Sequence, residues 1–210
     1  MADFRFERDL LKKGLKLIAG VDEVGRGALF GPVIAAAVIF SDPLILRPRR
    51  AWLREVNDSK LVRPDKRKNL ARRICCEAAA VGIGYASSRE VDEKNIYWAS
   101  LEAMKKAVAN LPLTPEALLI DGFVLNDVDF YQIGVRQGDR KCISIAAASI
   151  LAKVFRDEIM DILNHLYGGY GLGKNKGYGT EEHYQALQEL GPTALHRRTF
   201  NLRLRVEHDS

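Results

Sequence analysis

The stretch that decides the fold is "GLKLIAGVDEVGRGALFGPVIAAAVIF", residues 14–40. Within it, "LKLIAGVD" is an apolar run with strand character, and "PVIAAAVIF" (32–40) is a second. A glycine-rich turn joins them, so the two are expected to pair antiparallel. The first run stops at two adjacent acids, Asp22 and Glu23, where the pattern otherwise asks for burial. Gly25-Arg26-Gly27 follows at once, a positive charge held between two glycines. Neighbours on a strand point to opposite faces. Both acids therefore serve one site only if the strand has begun to turn, or if Glu23 contributes partly through its backbone carbonyl.

A dinucleotide-binding phosphate loop is the rival reading of Gly25-Arg26-Gly27…Gly31. That loop needs a helix directly after its glycines. Pro32 opens a β-rich run instead, and the preceding acids would repel a pyrophosphate.

Further along, 64–80 reads as a helix with Pro64 near its start, and "VGIGYASS" (81–88) as a third strand. Residues 91–111 have helical periodicity. "EALLIDG" (116–122) is a short apolar run ending in Asp121, and "FYQIGV" (130–135) is another. Asp139 then precedes a long helix, 142–168, rich in small residues and suited to close packing on a sheet. A last helix over 180–191 starts at Thr180 and ends at Gly191. Three early strands followed by strand–helix alternation predict an α/β fold, a mixed sheet with helices on its faces. No linker divides the chain, and the C-terminal part reads as a helical appendage.

Acids recur at strand ends: Asp22 and Glu23, then Asp121, then Asp139. Four carboxylates at one sheet edge repel one another unless a positive group joins them. Such an oxygen-only set suits a hard divalent cation, Mg²⁺ or Mn²⁺. Taken singly, Asp121 before Gly122 reads more readily as a turn residue, and Asp139 as a helix cap. The histidines at 165, 183, 196 and 208 show no ligand spacing.

The chain has 210 residues, 47% of them hydrophobic, enough for one domain with its own core. The net charge of +5 is unevenly spread: residues 47–73 hold 11 Lys/Arg against 3 Asp/Glu, which is +8 and leaves −3 for the rest. "LHRRTFNLRLRV" (195–206) adds four arginines and no acid. Basic segments on an otherwise slightly acidic chain suggest a polyanionic partner, against the alternative of solvated helix faces. Three cysteines, 75, 76 and 142, make neither a disulfide framework nor a zinc site. The N-terminal segment is too charged for a signal peptide, and no apolar run approaches membrane length. A soluble cytoplasmic protein is expected.

Six blocks now stand in order: "AGVDEVGRGALFGPVIAAAV", "NDSK" (57–60), "LIDG" (119–122), "GDRKCISIAAASILAKVFRD" (138–157), "NKGYGT" (175–180) and "HRRTF" (196–200). In order and spacing they resemble type 2 ribonuclease H, ribonuclease HII, over nearly the whole chain. The resemblance implies a ribonuclease H-like fold with a mixed five-stranded sheet and a C-terminal helical extension. A single domain over 1–210 is expected, with a catalytic core about 14–168 and a substrate-binding extension about 169–210. The implied activity is metal-dependent endonucleolytic hydrolysis of RNA in RNA–DNA hybrids and at ribonucleotides embedded in duplex DNA. It implies Asp22, Glu23, Asp121 and Asp139 as ligands of two Mg²⁺ or Mn²⁺ ions, and Gly25, Arg26 and Gly27 as the reader of the ribose. It implies Tyr178 as the residue at the RNA–DNA junction, with Lys60 and Lys176 near the nucleic-acid groove.

Without the resemblance, Gly25-Arg26-Gly27 reads equally as a hairpin turn, and Tyr178 as a loop-packing aromatic. The family's usual proline after Gly-Arg-Gly is Ala28 here, which loosens φ at one loop position. Type 3 relatives carry an extra N-terminal domain, for which acids at residue 22 leave no expected room. The tail "RLRVEHDS" shows no obvious clamp-binding motif, and a monomer is expected. The competing classes are a non-catalytic nucleic-acid-binding module and an integrase- or resolvase-type nuclease. All four acids argue against the first, and the five further blocks against the second.

Overall fold

The computed structural model describes residues 2–204. Its frame is a five-stranded sheet of order β3-β2-β1-β4-β5. The strands are β1 (Ile18–Val24), β2 (Val33–Ile39), β3 (Ala80–Ala86), β4 (Ala117–Asp121) and β5 (Tyr131–Val135). β1 and β2 pair antiparallel, as do β2 and β3. β4 and β5 run parallel to β1. Three parallel strands consequently end at one edge of the sheet, and each carries or leads into an acid.

Apart from Asp22 and Glu23, every residue of β1 and β2 is apolar or small. β2, "VIAAAVI", is buried along its whole length because helices cover both faces of the sheet. One face receives α3 (Pro64–Glu77) and the long α5 (Ile143–Leu166), packed on Ile34, Ala36, Val38 and Phe40. The other receives α4 (Ser88–Ala109), packed on Val33, Ala35, Ala37 and Ile39. Fully burying side chains such as Ile34 and Ile39 stabilises by about 1.5–3 kcal/mol each. Close approach is bought with missing side chains: a Cβ on Gly20 of β1 would lie 2.2 Å from the Ser144 carbonyl carbon of α5.

The helix ends follow their chemistry. Pro64 opens α3, and Ser87 with Glu90 forms a reciprocal capping box at the start of α4. Inside α4, Asn95 breaks the helix with φ 63° and ψ 165°. Thr180 accepts from the His183 N–H to cap α7 (Glu181–Leu190).

A helix absent from the expectations, α1 (Arg5–Lys12), covers β1 and β4 with Leu10. Its charge hid it. Glu7 points inward and is fully buried, accepting from the Ser144 N–H at 3.0 Å and the Cys142 thiol at 3.2 Å. It thus caps α5 from across the chain, and burial pushes its carboxyl up. Two further short helices, α2 (Asp42–Leu46) and α6 (Leu172–Asn175), lie in segments with no sequence expectation.

The C-terminal layer is stitched into the fold. Leu172, Ala186, Leu187 and Leu202 pack with Leu29 and Phe30 of the β1–β2 loop and Met160 of α5. The reading of the extreme tail, 205–210, falls outside the described residues.

Candidate active site

β1 keeps its ladder with β2 through Val24↔Ile34, so the strand has not begun to turn at Glu23. The turn starts at Gly25, where φ is 93°. Asp22 pairs with Ala36 and looks to the α5 face, while Glu23 pairs with Ala35 and looks to the α4 face. What joins them is the neighbouring strand end. β4 stops at Asp121, one residue beyond its last pairing with β1, and the Asp121 charge acts on both Asp22 and Glu23. Asp139 sits just after β5, in the single 3-10 turn Gly138–Arg140. That turn is drawn to Asp121, whose Oδ1 accepts from the Gly138 N–H at 2.7 Å.

The electrostatics follow. Burial pushes the Asp22 carboxyl well above the usual carboxylate range, and the charges of Glu23 and Asp121 add to it, against a hydrogen bond from Ser149. Glu23 is raised by burial and Asp121, and held back by Arg26. Asp139 is raised by burial, Asp121 and Asp58. Among the described residues, no set of three or more His, Cys, Asp or Glu side chains closes into a finished metal cage. The acids share a repulsive field, and Asp121 is engaged with backbone. Negative charge in excess, carried by oxygen atoms alone, is the donor chemistry that fits a hard divalent cation.

The loop from Gly25 to Pro32 follows directly on Glu23 and brings Gly25, Arg26 and Gly27 to the cleft. Two buried arginines hold it by its carbonyl groups. Arg156 of α5 donates to the carbonyls of Pro32, Phe30 and Lys176 at 3.0, 3.1 and 2.8 Å. Arg197 donates to Gly31 twice and to Arg26 once. Gly25 is required by the protein itself, because a Cβ there would meet Arg156 Nε at 2.3 Å and φ is positive. Gly27 has open space where its Cβ would be. Ala28 is fully buried, pairs with Tyr178 in an antiparallel bridge, and donates its N–H to the Gly25 carbonyl at 3.3 Å. A proline has no such N–H.

Glu23, Gly25, Arg26, Gly27, Lys60, Lys153 and Tyr178 line one cleft of ≈ 390 Å³. Arg26 reaches back to Glu23 at 3.4 Å and lies over the Phe123 ring at 4.8 Å. Tyr178 is half-buried, with Arg156 5.3 Å and Lys153 5.8 Å from its ring centre. The "NDSK" block docks beside the acids: Asp58 pairs with Arg140 at 2.9 Å, and the Ser59 hydroxyl meets that of Ser149 at 3.0 Å. Lys176 is placed elsewhere. Its ammonium pairs with Asp161 on α5, and it is not among the residues lining this cleft.

Lys153 lines the cleft, its own ammonium paired with Asp157 at 2.6 Å, and sequence reasoning passed over it, as it did Ser149, Arg156 and Arg197. A signal was present. Ser149, Lys153 and Arg156 recur at helical spacing, i, i+4 and i+7, in the stretch 143–156, which is otherwise small and apolar. Arg197 carried none, since "HRRTF" reads as surface charge while Arg197 is fully buried.

The sequence profile described as Ribonuclease HII matches residues 19–203. A relative described as Ribonuclease HII, from Caldanaerobacter subterraneus subsp. tengcongensis, is 49% identical over 195 residues, spanning 93% of this chain and 78% of that one. The chain belongs to the ribonuclease HII family. Ribonuclease HII is an endonuclease that degrades RNA in RNA–DNA hybrids, and this chain is accordingly a ribonuclease H, a hydrolase. Two solved structures of ribonuclease HII or its HIII relatives share the fold. The PCNA:RNase HII complex from Archaeoglobus fulgidus superposes with a TM-score of 0.71 at 26% identity, covering 92% of this chain and 100% of that one. Bst-RNase HIII in complex with Mn²⁺ gives 0.65 at 25% identity, covering 89% and 68%. The mixed five-stranded sheet with flanking helices is thus the ribonuclease HII arrangement. Among the described residues, no helix is long and apolar enough to cross a membrane.

Proposed function

We propose that the chain cuts on the 5′ side of ribonucleotides embedded in duplex DNA, as well as along RNA–DNA hybrids, leaving 3′-hydroxyl and 5′-phosphate ends. The observation that carries this reading is the juxtaposition of two unlike walls. Asp121 acts on Asp22 and Glu23 on one side and on Asp139 on the other, and a backbone loop with an open Gly27 follows Glu23. The four acids would hold two Mg²⁺ or Mn²⁺ ions. Bound there, the cations supply Lewis acidity to the attacking water and the leaving oxygen.

The chain's own residues do the selecting. Backbone groups at Gly25, Arg26 and Gly27 approach the ribose, whose 2′-hydroxyl both donates and accepts and so separates RNA from DNA. Arg26, tethered to Glu23, couples that reading to the acids and binds an adjacent phosphate. Tyr178 stacks on the deoxynucleotide side of the junction. Lys60 and Lys153 face the phosphates across the cleft. Lys176 keeps only a supporting part, through its carbonyl and its pairing with Asp161. The 2′-hydroxyl takes no chemical part. The catalytic core, about 14–168, and the extension, about 169–210, act as one unit in this scheme. Three free thiols suit a reducing cytoplasm.

The test is a cleavage assay with Mg²⁺ or Mn²⁺ on a duplex carrying one ribonucleotide and on a long hybrid, for wild type and Tyr178→Ala. Cuts 5′ of the ribonucleotide are expected, with Tyr178→Ala losing far more on the single-ribonucleotide substrate. Equal losses on both would sink the junction-sensing role. A 2′,3′-cyclic phosphate product would sink the hydrolytic scheme.

A further inference from the structure

Two large aromatic side chains stand on the surface beside the reading loop without a structural use. Tyr97 is 41% exposed and Trp98 is 47% exposed. Their rings meet edge-on at 5.1 Å. Tyr97 also contacts the half-buried Phe123, 5.8 Å away, and Phe123 in turn carries the Arg26 guanidinium at 4.8 Å. An unbroken row therefore runs from Arg26 through Phe123 and Tyr97 to Trp98. Exposing so much aromatic surface to water is unfavourable unless something covers it.

The backbone is bent to present these rings. Asn95 adopts φ 63° and ψ 165° within α4, a conformation essentially reserved for glycine. Its side-chain oxygen accepts from the N–H groups of Tyr97 and Trp98 at 2.9 and 3.3 Å, recapping the helix beyond the break. Strain of this kind persists at positions that the surrounding structure over-determines, and such positions gather at functional sites. Beyond the break the helix still buries Ala99, Ala103, Met104 and Ala107 against the sheet. The break thus leaves the packed half intact and sets two rings at the rim.

Continuity with Arg26 selects the occupant, while charges of both signs stand around the rings. Lys94 and Lys105 flank Trp98 around a shallow depression, and Glu102 is the acid within it. Lys105 pairs with the highly exposed Asp127 at 3.5 Å. Cations beside aromatic faces are the chemistry of a nucleic-acid strand, whose phosphates take the cations and whose sugars and bases take the rings whatever their sequence. A protein partner would be expected to bring a larger apolar area than two rings present.

We propose that Tyr97 and Trp98 form a shelf that holds a strand of the bound nucleic acid next to the nucleotide read by the Gly25–Gly27 loop. This rests on the functional reading above and extends it. The shelf touches no reacting atom. It adds affinity for substrates long enough to reach it and leaves the chemical step alone.

Trp98 supplies its own probe, because the other tryptophan, Trp52, is buried at 6% exposure. Wild type and Trp98→Phe are titrated in EDTA with a fluorescein-labelled duplex carrying one ribonucleotide, following anisotropy and tryptophan emission together. Binding should change the emission of wild type and leave that of Trp98→Phe unchanged, with similar anisotropy curves. Steady-state cleavage by Trp98→Ala and Tyr97→Ala should show KM raised about fivefold to tenfold with kcat unchanged. Tyr97→Phe and Trp98→Phe, which keep a ring, should restore most of the affinity. Saturating binding without any change in Trp98 emission, or KM unchanged in both alanine variants, would overturn the shelf and leave the rest of the functional reading standing. No anisotropy change with any duplex would overturn nucleic-acid binding itself, and the shelf with it.

Discussion

The acids at the strand ends and the loop that follows them are two walls built on opposite principles, and of the four acids Glu23 is the one that lines the cleft. The acid wall is left unsatisfied: Asp22, Glu23 and Asp139 are all raised by burial, and the Asp121 charge makes each worse. The loop wall is satisfied to excess. Its carbonyls at Arg26, Phe30, Gly31 and Pro32 all receive guanidinium donors, and its turn is closed by the Ala28 N–H. A surface that must receive a cation keeps its attraction in reserve. A surface that must tell one hydroxyl from none has to be rigid before the ligand arrives. The contrast makes the acid wall a cost to stability and the loop wall a source of it.

The sharpest way to break the contrast is to remove one acid. Asp121→Asn or Asp139→Asn should abolish nearly all cleavage, since a carboxamide keeps the shape and loses the charge. In EDTA, Asp121→Asn should also melt higher than wild type, because it relieves repulsion. Added Mg²⁺ or Mn²⁺ should raise the Tm of wild type only. Near-wild-type turnover at saturating metal, or a lower Tm in EDTA, would mean that the acids are not a reserve of attraction.

Attacking the other wall should cost stability first. Arg197→Ala leaves the Arg26 and Gly31 carbonyls without their donors in a fully buried setting. A loss of about 2–5 kcal/mol in urea unfolding is expected, with KM rising in whatever remains folded. A variant with unchanged stability would show that the loop is held by packing alone.

Acidification separates the walls by sign. His183 and His196 hydrogen-bond to each other at 3.1 Å in the C-terminal layer that backs the loop. Burial, then the charges of His183 and Arg198, push His196 down to about 4, and burial lowers His183. A lowered histidine means that the unfolded chain binds protons first, so stability falls as pH drops from about 6.5 toward 4. The raised carboxylates do the reverse: the folded state binds protons first, and stability rises as pH drops. In wild type the two partly cancel. Tm in EDTA between pH 7 and 5 should therefore fall more steeply for Asp121→Asn than for wild type. Parallel curves would refute the opposition.

The smallest effect is expected at the family departure. Ala28→Pro removes one long hydrogen bond, worth about 0.5–1.5 kcal/mol, and recovers about 0.4–1 kcal/mol by stiffening the unfolded chain. Tm should move by only a few degrees, and cleavage hardly at all. A large loss would show that the Ala28 N–H is what keeps this loop stiff without the proline.

Much of this architecture was legible before any coordinates. The five strands and the four long helices after β2 sit within a few residues of where periodicity put them, because both faces of the central strands β1, β2 and β4 are buried and their apolar runs are long. Acids at strand ends were visible as interruptions of burial. α1 was not legible, since its inward residue is Glu7, and an acid caps a helix from afar only when the fold brings it there. Arg197 was counted as ordinary charge and Arg156 was passed over for the same reason. An arginine that feeds distant carbonyls looks, in one dimension, like an arginine in water.

By itself, then, the sequence determined the elements, their apolar faces, the acids at the ends of strands and the bare loop between the first two. Those are local properties, carried by periodicity, glycine and charge within a few residues. The tertiary structure alone decided that β4 and β5 run parallel to β1, so that Asp121 arrives beside Asp22 and Glu23, and Asp139 beside Asp121. It alone decided that Lys153 rather than Lys176 faces the cleft, and that two arginines turn inward to hold the loop. Strand direction and the destination of a long charged side chain are set by contacts between residues far apart in the chain, and no local pattern encodes them.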